Sequence, residues 1–156
     1  MEIRDCMKRK VFSISASSTI REAAALIVEQ RIGLLPVLNK QGKPGGVISL
    51  SDLLKLELPD FFDLLPDLDF VRDFGAVETT RPTPNQLDRP VTMIMQPITF
   101  VEENCGLLRA YALMVKHNLY DLPVVSEEGV LVGLASRVDI AAAILATWKN
   151  VEASRP

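Results

Sequence analysis

From Ile20 onward the apolar residues return at intervals of three and four, at Ile20, Ala23, Ala24 and Ile27. That is the helical period. Thr19 and Glu22 stand ahead of the run in the spacing of a capping box, so the pattern predicts a helix from there to about Gln30. The pattern then changes. LPVL at 35–38 is a short unbroken apolar run opened by proline and reads as a buried strand, Gly42 falls in a turn, and GGVIS at 45–49 reads as the returning strand. A weaker strand signal at 11–14 precedes the helix, and a second helix is predicted from Ser51. The order is β-α-β-β-α.

The same pattern comes round again at an offset of 87 residues. Ala23, Ala25, Leu26 and Val28 meet Ala110, Ala112, Leu113 and Val115. Leu35, Pro36 and Val37 meet Leu122, Pro123 and Val124; Gly42 and Gly46 meet Gly129 and Gly133; Ser49 and Asp52 meet Ser136 and Asp139. Upstream of Lys10 the match continues only with a slip of one residue, which brings Met7 onto Met95. In the second repeat a strand is expected at 98–101, a helix capped by Asn104 and carrying Leu107, Ala110, Leu113 and Met114, strands at LPVV and VLVGLAS, and a closing helix from Arg137. A unit of about 50 residues buries too little surface to stand alone, so two such units are expected to share a core. The fold class is therefore α+β, in tandem repeats at 1–56 and 91–150 joined by a connector at 57–90, with a tail at 151–156.

Composition narrows the classes of function. The chain has 156 residues, 48% apolar and 24% charged, which fits a globular domain. A net charge of −3 argues against a nucleic-acid surface. No apolar stretch is long enough to span a membrane, and the N-terminal decapeptide MEIRDCMKRK has no signal-peptide pattern, so a cytoplasmic location is expected. Cys6 and Cys105 make neither a disulfide framework nor a metal spacing, and they read as small apolar residues of a reduced compartment. The single histidine, His117, stands near a helix end with no ligand spacing around it. No catalytic residues, metal or cofactor are expected, and the chain is not read as an enzyme.

The duplicated GVISLSD and GLASRVD carry the candidate chemistry. Gly-x-x-Ser-x-x-Asp at a strand-to-helix junction serves as a capping box. The same junction offers unpaired N–H groups to a phosphate, and its aspartate can accept from two vicinal hydroxyls, which a ribose supplies. Gly46 and Gly133 permit close backbone approach. Arg137 lies inside the second motif and can reach a phosphate; the first motif has Leu50 and Ser51 there.

Each repeat resembles a CBS domain, on the stretches TIREAAALIVEQRIGLLPVL…GGVISLSDLL and GLLRAYALMVKHNLYDLPVV…VLVGLASRVDI. The resemblance implies a paired, pseudo-two-fold Bateman module, often dimerised into a disc, that binds an adenine nucleotide (AMP, ADP or ATP) between its sheets. It implies that Asp52 and Asp139 contact ribose hydroxyls and that Ser49 and Ser136 contact ribose or phosphate. Backbone groups ahead of the LPV strands, at Gly33 and Leu34 and at Tyr120 and Asp121, would hold the base, on which Tyr120 can also stack. The expected partners are an adenine nucleotide, a second copy of the chain and a regulated protein; the alternative is a ligand-free dimerisation and interaction scaffold. The connector holds four of the six phenylalanines, with Asp60, Asp63, Asp67, Asp69 and Asp73. It reads as short amphipathic helices broken by Pro66, then an extended linker through Pro82, Pro84 and Pro90, covering the module's own core; a lid or partner surface is the alternative.

Overall fold

The structure, a computed structural model, describes residues 1–58 and 81–151. The first repeat runs β1 (Ile14–Ser15), α1 (Ile20–Gln30), β2 (Leu34–Leu38), β3 (Pro44–Ser49) and α2 (Leu50–Leu54). A short helix α3 (Pro84–Leu87) follows. The second repeat runs β4 (Val101–Glu102), α4 (Leu107–Lys116), β5 (Asp121–Val125), β6 (Leu131–Ser136) and α5 (Arg137–Ala146). Two three-stranded sheets result, in the orders β1-β2-β3 and β4-β5-β6, each with one parallel and one antiparallel pairing. This is the α+β tandem that the pattern predicts.

Pro36 and Pro123 stand inside the central strands β2 and β5, where a missing N–H is ordinarily costly. The register explains them. Their cross-strand partners Val47 and Leu134 turn their own N–H groups away from the pair, to Gln96 O at 2.9 Å and Lys8 O at 2.9 Å. The proline nitrogens therefore face the parallel neighbour, whose pairing begins only at Val37 and Val124.

The stretches ahead of the repeats change sides. Ile3 and Met7 pack into the core of the second repeat, with Leu107, Ala110, Met114, Leu122 and Ile140. Val91, with Ile94 and Met95 beside it, packs into the core of the first, with Ala23, Ile27, Leu35 and Ile48. The isolated bridges match this exchange pair for pair: Lys8 to Leu134 answers Val47 to Gln96, and Glu2 to Gly106 answers Thr19 to Pro90. The one-residue slip upstream of Lys10 marks the crossing. Sequence reading assigns residues 1–8 to the first repeat; their packing is with the second.

Three local expectations change. Gly46 and Gly133 are approached not by a ligand but by the exchanged methionines. A Cβ on Gly46 would lie 2.7 Å from Met95 Sδ, and one on Gly133 would overlap Met7 Sδ. The cap of α4 is Gly106, not Asn104. Gly106 has no side chain to give, and the exchanged N-terminus serves instead, Met1 O accepting from Leu107 N at 3.3 Å as Arg89 O accepts from Ile20 N at 2.9 Å. The linker expected to run extended through Pro84 contains α3, for which Thr83 and Gln86 form a capping box and Pro84 takes the first helical position. The phenylalanine-rich part of the connector lies outside the described residues.

Candidate functional site

Both Ser-x-x-Asp motifs are complete capping boxes. Asp52 Oδ2 accepts from Ser49 N at 2.8 Å and from Ser49 Oγ at 2.9 Å, and Asp52 N donates to Ser49 Oγ at 3.3 Å. In the second repeat the corresponding distances are 2.9, 2.7 and 3.1 Å. Each aspartate thus uses one carboxylate oxygen. Among the described residues, Oδ1 of Asp52 and of Asp139 accepts no hydrogen bond.

Two clefts open where the repeats meet, and their walls mix the repeats. The first, of about 460 Å³, brings Gly33, Leu34, Ser49 and Leu50 together with Asn118, Tyr120 and Asp121. The second, of about 320 Å³, brings Gly33, Leu34, Arg31 and Phe12 together with Lys8, Lys10, Asp121 and Leu134. Both fall in the range of small-molecule sites, about 300–1,000 Å³. Gly33, Leu34 and Asp121, at the starts of β2 and β5, line both.

Asp52, Ser136 and Asp139 line neither of these clefts; Lys8, which lines the second, has its Nζ 3.7 Å from Asp139 Oδ2. Partial burial pushes the Asp139 carboxyl up, but the hydrogen bonds from Ser136 and the Lys8 charge together hold it below its ordinary value. Asp121 goes the other way. Burial raises its carboxyl, Lys8 opposes and Asp139 adds to the rise. An acid whose pKa rises on folding costs stability once it ionises, and that cost disappears at low pH where both states are protonated. Asp121→Asn is therefore expected to raise the melting temperature at pH 7, with the gain fading toward about pH 4 and below. A melting temperature that falls at pH 7 in the free protein would contradict this placement of the carboxylate.

Arg137 is not presented to a cleft. Its Nε donates to Leu119 O and its Nη2 to Met114 O at 3.3 Å, so the guanidinium closes the carbonyl end of α4. It also stacks on the Tyr120 ring, 4.7 Å from the centroid. Helix C-termini attract cations in this way. Tyr120 remains 70% exposed and lines the first cleft. The cations that do line a cleft, Lys8, Lys10 and Arg31, escaped the sequence reading because they lie outside both motifs. The basic run at 8–10 beside the alignment slip was the only trace of the two lysines. Cys6 and Cys105 pack at the second core, where burial raises both thiols, the reverse of an activated nucleophile.

This geometry has close relatives. The family profile of the CBS domain matches residues 3–58 and 91–146, and the chain belongs to the CBS-domain family. CBS pairs are in general regulatory rather than catalytic. An uncharacterized protein of Methanocaldococcus jannaschii is 31% identical over 156 residues, covering 93% of this chain and 92% of its own length. Of the next three curated relatives the chain spans only 21%, 61% and 22% of the length. Among solved structures, the CBS-pair protein CBSX2 in complex with AMP superposes with a TM-score of 0.70 at 23% identity, covering 93% of this chain and 96% of that one. The CBS domain pair of protein MJ0100, in complex with 5'-methylthioadenosine and S-adenosyl-L-methionine, gives 0.65 at 18% identity, covering 94% and 98%. At these identities the structural likeness establishes the fold alone.

Proposed function

We propose that the chain is a cytoplasmic regulatory module that binds an adenine nucleotide (AMP, ADP or ATP) between its paired repeats and passes the bound state on through its partner contacts. One observation carries the reading. At each strand-to-helix junction a capping aspartate holds one oxygen in the cap and leaves the other unused, the arrangement that a ribose diol can enter without dismantling the helix start. The ligands bound by the structural relatives, AMP in one and two adenosyl compounds in the other, support the same chemistry. A ligand that binds only the folded state raises the melting temperature. The test is a thermal-shift series with AMP, ADP, ATP and S-adenosylmethionine. An upward shift that saturates with one of them supports the reading. No shift with any leaves the scaffold reading in its place.

The regulatory partner contacts include a second copy of the chain. Leu108 on α4, Leu145 near the end of α5 and Trp148 in the turn just after it are 73%, 49% and 64% exposed. Large apolar side chains left exposed are stabilised by pairing about a two-fold axis. Sedimentation at micromolar concentration is expected to show twice the 17.2 kDa chain mass; a species of 17.2 kDa alone would count against the dimer.

A further inference from the structure

The leading segment of the chain is a wall of one cleft only. Lys8, Lys10, Val11 and Phe12 line the second cleft, while among the described residues nothing from the counterpart stretch 88–99 lines the first. Lys8 is also where this segment is fastened. Its N–H donates to Leu134 O at 2.8 Å, its carbonyl accepts from Leu134 N at 2.9 Å, and its Nζ lies 3.7 Å from Asp139 Oδ2. At the counterpart position Gln96 keeps the backbone bridge, to Val47, and has no charge to offer Asp52.

The other end of the same segment reaches a different part of the molecule. Met1 O accepts from Leu107 N at 3.3 Å, at a helix start whose cap, Gly106, has no side chain. Met1 also lines an open groove of about 510 Å³ with Leu107, Leu108, Ile144 and Thr147, between α4 and the end of α5. Leu108 belongs to the exposed apolar surface assigned above to the second copy. Between its two ends the segment is not slack. Cys6 N and Met7 N both donate to Ile3 O, at 3.1 and 2.9 Å, and Ile3 and Met7 are buried in the second core. Close-packed interiors do not deform continuously, so an element held in this way shifts as a unit.

We propose that Met1–Lys8 is a strap that couples the second cleft to the groove between α4 and α5. A ligand in the cleft meets the strap on one side and the start of β2 on the other, so it binds tightly only when the strap is seated. The seated strap completes the first turn of α4, and the groove keeps its shape for the second copy. Binding and seating are reciprocal, each favouring the other by the same factor. The proposal rests on the nucleotide reading above and adds the route by which the bound state leaves the cleft.

Ile3 anchors the strap and lines neither cleft, and Val91 is its counterpart in the segment that is no cleft wall. The experiment titrates AMP calorimetrically into the full chain, Ile3→Ala and Val91→Ala, and follows amide hydrogen exchange of the parent with and without saturating AMP. If truncation at Ile3 leaves the strap seated in roughly a third to a tenth of the molecules, the apparent dissociation constant rises about three- to ten-fold. Val91→Ala should stay within about two-fold of the parent. In the parent, AMP should slow exchange at Ile3, Lys8 and Leu107 more than at their counterparts Val91, Gln96 and Ile20, whose N–H groups are bonded in the same way. A folded Ile3→Ala that binds AMP as the parent does, or strap amides that slow no more than their counterparts, overturns the strap and leaves the nucleotide reading standing. Where Ile3→Ala does not fold, the exchange comparison decides. No binding of AMP by the parent overturns both.

Discussion

Replacing Ile3 with alanine is expected to lower the unfolding free energy by about 2–5 kcal/mol, the usual cost of truncating a fully buried isoleucine. Ile3 stands third from the N-terminus, where substitutions are ordinarily tolerated. Here its side chain is 0% exposed among the core residues of the other repeat, and its N–H donates to Cys105 O at 2.8 Å. Such a loss is a large share of the roughly 5–15 kcal/mol that holds a domain together. The pseudo-two-fold counterpart, Val91, is equally buried in the first core, and Val91→Ala should cost less because fewer atoms are removed. Gly133→Ala probes the same seam from the opposite wall, since its Cβ would overlap Met7 Sδ and crowd Lys8 O at 3.2 Å. Urea denaturation of the three variants measures these costs. An Ile3→Ala protein within about 0.5 kcal/mol of the parent, the range of ordinary surface substitutions, would mean that the exchanged segment is not part of the core.

The second large effect is on binding. Asp139→Ala is expected to weaken AMP binding by roughly ten- to a hundred-fold, since hydrogen bonds to a charged group contribute about 1.5–3 kcal/mol and 1.4 kcal/mol is a factor of ten. The same change removes the carboxylate from its capping box and its pairing with Lys8, so a stability loss of about 1 kcal/mol should accompany it. The two effects separate against Asp52→Ala. That variant loses the same cap, but its capping partner Ser49 lines the first cleft, which no lysine or arginine lines. It should match Asp139→Ala in stability and exceed it in AMP affinity. If both variants lose stability and neither loses affinity, the aspartates only cap their helices.

The duplicated pattern made most of the fold legible. A capping box, a proline-bearing apolar run and a glycine turn recur in one order, and each is a local rule that tertiary contacts seldom overturn. Identical residues such as Leu35 and Leu122 proved to be core. The exchange of the leading segments left only the slip between Met7 and Met95, because which neighbouring core a short apolar stretch enters is decided by distance in space, not by local pattern. The motif aspartates were legible for the same reason as the caps. Arg137 was not. A flexible cation beside a helix start has several acceptors within reach, and the open carbonyls of Leu119 and Met114 won over a place in the cleft. Arg31 carries no motif, and its left-handed backbone is not displayed by the sequence. The closing helix of the first repeat is also shorter than that of the second, ending at Leu54 where α5 continues to Ala146. Pro59 lies just beyond, and proline disfavours helix in the residue before it.

The central claim is that the seam between the repeats is a nucleotide site. Calorimetric titration of the unmodified chain with AMP tests it most directly. The account predicts a saturable heat that is weakened in Asp139→Ala. The absence of any saturable heat with AMP, at protein concentrations where the chain is folded, would contradict it.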